Sequence, residues 1–135
     1  MGIDELKDKL GTEFWSVEYD VEKGMIRRFV QAVGDPSPQW QKVAPPTLIL
    51  TIGLDQIQQE LLDLFPSATI LHGSTELECY RPIMAGETLT ATASLANIRE
   101  RQGKMGKMAF VTVDTTYKNR RQETVARCRQ MVISY

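Results

Sequence analysis

Asp35 is the first residue whose type and setting call for chemistry. It sits in GDPSPQWQKVAPPT (residues 34–47), where one carboxylate shares a short segment with a tryptophan and four prolines. Each proline has already fixed its φ, so ordering this segment costs little further chain entropy. A stiff loop presenting one acid suits general base chemistry, or the orientation of a water. The same residues carry a structural reading. Aspartate before proline, with Ser37 two positions on, starts a turn in which the carboxylate bonds its own backbone. Trp40, whose indole donates but never accepts a hydrogen bond, reads as an apolar plug at a pocket mouth. Thr47, Leu48 and Ile49 follow two prolines that have no N–H, so their amides are the donors opening the next helix and carry the positive end of its dipole. One such amide aimed at a developing oxyanion contributes about 3 kcal/mol.

The other candidates have less specific settings. His72 is the only histidine; in LHGS, at the start of a strand, it reads as a partly buried residue. Asp55, just after Gly53, and Glu60 are helix carboxylates that could activate a water, although carboxylates on helices commonly face solvent. Arg81, Arg99 and Lys104 are cations without a binding pattern. Two cysteines, Cys79 and Cys128, with no CxxC spacing, do not compose a zinc site. Free thiols fit a cytoplasmic protein. No metal and no cofactor is expected.

The elements that must position these groups follow from periodicity. Residues 5–10 begin as a short helix. Residues 14–21, FWSVEYDV, alternate as a strand with Trp15, Val17, Tyr19 and Val21 on its apolar face. Residues 22–34 place Met25, Ile26, Phe29, Val30 and Val33 at helical spacing and stop at Gly34, which leaves Asp35 just past a helix end. Residues 46–65 predict a long helix, opened by Pro46 and closed by Pro66. Its first half, TLILTIGL, is apolar on every side and must be enclosed; Asp55, Gln58, Gln59 and Asp63 give the second half a polar face. Residues 68–83, 88–98, 107–118 and 123–135 read as strands, with turns at Gly86, Gly103/Gly106 and Asn119. Short turns between them imply an antiparallel meander. The sum is α+β: a single hotdog domain over residues 1–135, its long central helix wrapped by a curved antiparallel sheet of about five strands. Ala91, Ala93 and Ala96 are the small residues that would let the helix approach.

Composition limits the partners. A chain of 135 residues with a net charge of -1 lacks the basic surplus that nucleic acids demand. The basic run RERQGK surrounds a glycine turn and reads as a solvated hairpin tip. No apolar run approaches the ~20 residues of a membrane span. The first residues, MGIDELKDKLG, are too polar for a signal peptide, and Leu6 stands where myristoylation of Gly2 would want Ser or Thr.

VGDPSP, VAPPTLIL and LHGSTELECYRPIMAGETLTATASL, in this order, resemble the MaoC-like dehydratases, above all the N-terminal MaoC-like domain. The resemblance extends to subunits of (R)-3-hydroxyacyl dehydratases and enoyl-CoA hydratases and covers residues 14–135. Its most specific part is the pair APPT … YRPIMAGETL. It implies hydration of a trans-2-enoyl thioester or its reverse, in cytoplasmic fatty acid metabolism. The ligand would be an acyl-CoA or acyl-carrier thioester, and the assembly a homodimer or a heterodimer with a second hotdog chain. By resemblance Asp35 is the catalytic carboxylate, and Thr47 and Leu48 bind the thioester oxygen. The family's histidine, five positions after the aspartate, is replaced by Trp40, and the segment between acid and helix is shortened. Three readings stay open: an (R)-specific hydratase, a non-catalytic partner subunit shaping the acyl tunnel, and an acyl-CoA thioesterase using Asp55.

Overall fold

The computed structural model describes residues 3–65, 69–104 and 106–135. Gly2, Pro66, Ala68 and the side chain of Gln58 lie outside the described set. The chain forms α1 (Ile3–Lys7), β1 (Glu13–Asp20), α2 (Lys23–Val33), two 3-10 turns (Pro38–Gln41 and Pro46–Thr51) and α3 (Leu54–Leu64). Four more strands follow: β2 (Ile70–Cys79), β3 (Thr88–Gly103), β4 (Gly106–Lys118) and β5 (Thr124–Ser134). All five strands join one antiparallel sheet in the order β1-β3-β4-β5-β2. This is the expected hotdog sheet. Only β3, β4 and β5 form the meander, however. The segment between β1 and β2 crosses the sheet, so β2 returns against β5 at the opposite edge.

Alternation explains which face is covered. On β3, Leu89, Ala91, Ala93 and Leu95 are buried, and β1 sets Tyr19, Val17 and Trp15 opposite the first three of them. Large residues against small ones bring the strands together without a void. β4 continues the face with Val111, Val113 and Tyr117, and β5 with Val125, Ala126 and Cys128. Ala96 departs from expectation. Ala96 is exposed because alternation puts it on the face opposite Leu95, and the β3–β4 register shift between Leu95 and Asn97 turns Asn97 out as well before Ile98 restores the pattern.

The central helical segment also differs from one continuous rod. Pro46–Thr51 is a 3-10 turn, Ile52 and Gly53 break it, and α3 starts afresh at Leu54. Gly53 has φ +72, in the left-handed region, and a Cβ added there would lie 2.1 Å from Cζ2 of Trp15. The indole of Trp15 occupies the space a side chain would need, and its Nε1 donates to Oε1 of Gln56 at 3.2 Å. The enclosure that the apolar half demanded is present: Leu48, Ile49 and Ile52 are at most 1% exposed. Each such burial stabilises the fold by roughly 1.5–3 kcal/mol. Asp55, Gln59 and Asp63 face solvent.

Candidate functional site

Asp35 lies where the helix-stop reading placed it. α2 ends at Gly34 (φ 73), whose N–H bonds the carbonyls of Val30 and Gln31. The chain then turns, and the half-buried carboxylate of Asp35 accepts two hydrogen bonds. The Ser37 backbone N–H reaches Oδ1 at 3.1 Å, and the Trp40 indole Nε1–H reaches Oδ2 at 2.7 Å. The turn reading is therefore realised, and the plug is bonded to the acid itself. Both carboxylate oxygens are engaged by donors within the loop.

The two halves of the sequence signature meet in space. Val43 bridges to Met84; the Ala44 N–H donates to the Ile83 carbonyl, and the Ala85 N–H to the Lys42 carbonyl, each at 2.8 Å. VAPPT is thus stitched along RPIMAG. Against this seam lies an open, mostly apolar groove of about 350 Å³ between Trp40, Val43, Pro46, Cys79, Tyr80 and Ile83. That size falls within the roughly 300–1,000 Å³ of small-molecule sites. A second groove of about 450 Å³ lies on the α2 side, lined by Arg27, Val30, Pro36, Pro38 and Trp40. Trp40 is common to both.

The 3-10 geometry decides which amide is available beside the first groove. Its bonds run from residue i to i-3, and the Leu48 N–H is already given to the Pro45 carbonyl at 2.9 Å. Leu48 therefore drops out as an oxyanion donor, and its side chain is fully buried. Pro46 has no N–H. Thr47, exposed at the tip of the segment, carries the one first-turn amide that this pattern leaves without an acceptor.

The remaining candidates are scattered. His72 is exposed on the edge strand β2, where Nε2 contacts Oγ1 of Thr75 at 2.6 Å; it lines neither groove and is not the partly buried residue expected. Asp55 and Glu60 are exposed on α3. Arg99 stacks on Phe110 at the far hairpin, whereas Arg81 stands near the site in an ion pair with Glu123 at 2.8 Å. Among the described residues, no group of His, Cys, Asp and Glu is arranged to hold a metal. No helix of the described residues is long and apolar enough to cross a membrane. Cys79 and Tyr80 were missed as groove residues. Burial holds the Cys79 thiol above its ordinary value, so it is not a poised nucleophile. Their signal was the adjoining proline: a strand running into CYRPI must leave the ladder there.

A family model described as FAS1-like, dehydratase domain region, matches residues 8–128. A UPF0336 protein of Parafrankia sp. (strain EAN1pec) is 30% identical over 112 residues, which are 69% of this chain and 72% of that protein. Among solved structures, the C-terminally truncated HadBC (3R-hydroxyacyl-ACP dehydratase) complex from Mycobacterium tuberculosis has a similar fold. Its TM-score is 0.77 at 21% identity, covering 93% of this chain and 97% of that one. A MaoC-like dehydratase gives a TM-score of 0.80 at 23% identity, over 95% of this chain and 42% of its own.

Proposed function

Because this chain belongs to the FAS1-like dehydratase domain region family and is a MaoC-like hotdog, we propose that it is the acyl-thioester-binding partner subunit of a hydratase or dehydratase. In this role a second hotdog chain supplies the base. The observation that carries the reading is the 2.7 Å bond from the Trp40 indole to Asp35. Adding water across an enoyl thioester needs a group that accepts a proton from that water. Indole cannot accept one, and its N–H, bonded to the carboxylate that could, favours the ionised form and makes it a weaker base. The acid here organises a loop.

What the chain contributes is binding. The apolar groove suits a fatty acyl or pantetheine stem, and the amide of Thr47, the neighbour of Pro46 in the groove wall, is the donor that this reading assigns to a thioester oxygen as enolate charge grows. The partner's place is the free edge of β2, which exposes Leu71 and leaves unpaired backbone groups. The complex named for HadBC makes a two-chain assembly a natural model for this one.

Reconstitution tests the reading. This chain should co-purify with a hotdog chain that carries an Asp/His pair, and the pair should hydrate crotonyl-CoA, followed by loss of the enoyl absorbance. Asp35→Asn should leave the rate of the pair within about twofold, as expected of a group outside the reacting set. Abolished turnover on that substitution would sink the proposal.

A further inference from the structure

The apolar groove does not end at the seam. Arg81 and Pro82 also line a third groove, of about 530 Å³, which extends to Thr88, Asn119, Arg120 and Arg121. The two grooves adjoin at Arg81 and Pro82.

The far end is built around one asparagine. In the turn between β4 and β5, Asn119 Oδ1 accepts the backbone N–H groups of Arg121 and Glu123, each at 3.0 Å. The Asn119 Nδ2 donates to Oε1 of Glu123 at 3.1 Å, and the Gln122 N–H donates to the Asn119 carbonyl at 3.0 Å. Gln122 is held at φ 62, a conformation that glycine adopts at less cost. This network fixes Glu123, and Glu123 in turn holds the guanidinium of Arg81. Arg120 and Arg121 sit on the same turn, and among the described residues their guanidinium groups have no ion-pair partner. The groove therefore sets three arginines against Glu87 and Glu123 in a chain whose net charge is -1. Two unpaired guanidinium groups on a stiff turn form a forked donor set suited to phosphate oxygens.

We infer that the groove at Arg81, Arg120 and Arg121 binds the phosphate of a phosphopantetheine-linked thioester whose acyl end lies in the apolar groove beside Trp40. This rests on the acyl-thioester reading above and adds to it a phosphate site and the direction in which the ligand lies. The phosphate can belong to coenzyme A or to a carrier protein's prosthetic arm; the chemistry is the same.

Calorimetric binding of three octanoyl thioesters tests it, using the wild type and the double variant Arg120→Gln/Arg121→Gln, with circular dichroism confirming the fold. The probes are octanoyl-CoA, octanoyl-N-acetylcysteamine, which has no phosphate, and an octanoyl carrier protein. The double variant should bind a phosphate-bearing probe about tenfold more weakly, as losing charge-assisted hydrogen bonds does, with a shallower salt dependence. Its affinity for octanoyl-N-acetylcysteamine should not change. Loss on the carrier protein alone, or on octanoyl-CoA alone, identifies the source of the phosphate. Equal affinity of wild type and variant for both phosphate-bearing probes overturns the inference and leaves the thioester reading intact. A wild type that binds octanoyl-N-acetylcysteamine no better than free N-acetylcysteamine overturns the thioester reading, and the inference with it.

Discussion

The chain has two tryptophans, and they use the same chemistry to opposite ends. Each donates its indole N–H to a side-chain oxygen: Trp15 to Gln56 and Trp40 to Asp35. Trp15 is 8% exposed, lies on the apolar face of β1 and fills the space above Gly53. Trp40 is half-buried in a proline loop and stands between two open grooves. The first joins the sheet to the central helical segment. The second holds one oxygen of the Asp35 carboxylate within the loop. An indole hydrogen bond therefore says little by itself; what the ring is packed against decides whether it serves stability or function.

Truncating each ring separates the roles most sharply. Trp15→Ala should cost about 3–5 kcal/mol, as large core truncations do, measured by urea denaturation. Trp40→Ala should cost roughly 1 kcal/mol, because the half-exposed ring forfeits little burial. Similar losses for the two would erase the distinction.

Gly53→Ala comes next, with an expected loss of about 2–4 kcal/mol from overpacking against Trp15 added to a left-handed backbone. In a Trp15→Ala background the same substitution should cost only about 1–2 kcal/mol, the backbone part. An additive cycle would mean that the ring is not what forbids a side chain there.

Alkali acts on the core that holds Trp15. Burial pushes the Cys128 thiol from its ordinary 9.0 up to about 11, and burial followed by the neighbouring Cys128 charge pushes the Tyr117 phenol up as well. Both groups are neutral when protonated and titrate higher in the folded chain than in the unfolded one. The stabilisation from Cys128 is therefore complete below pH 9 and is lost as pH rises through 11, whereas that from Tyr117 is complete below pH 10 and is lost only at still higher pH. Denaturation midpoints should hold from pH 7 to 9 and fall above it, and Cys128→Ala should make that fall shallower. A midpoint that stays level to pH 11 would contradict the burial of these two groups.

The smallest effect belongs to the loop. Asp35→Asn keeps an acceptor for only one of the two donors, which at a half-buried site should cost roughly 1 kcal/mol, read as a small shift in melting temperature. A large loss would make the Asp35–Trp40 contact as structural as that of Trp15.

Much of this arrangement was legible in the residues. Strict alternation in β3 fixed its buried face, and Gly34 marked the end of α2, which located Asp35. Strand order was less legible, because a period of two assigns faces but not neighbours; nothing in β2 itself says that it pairs with β5. The break in the central helix left one mark, Gly53, and the reason for it stands 38 residues away at Trp15. The bulge between Leu95 and Asn97 is likewise a matter of register between strands. At the site, Asp35 and Trp40 read as an acid and a plug considered apart. Only the folded loop, bent by Pro36 and Pro38, shows that each is the other's partner. Arg120 and Arg121 were not singled out in the sequence; the groove that starts at Arg81 includes them in its lining.

The central proposal is that Asp35, with its carboxylate held by the Trp40 indole, does not act as a base in this chain. The most direct measurement is the rate of crotonyl-CoA hydration by the isolated wild-type chain at micromolar enzyme. The account predicts a rate equal to the uncatalysed background. Turnover above background that disappears with Asp35→Asn, while the melting temperature holds, would contradict it.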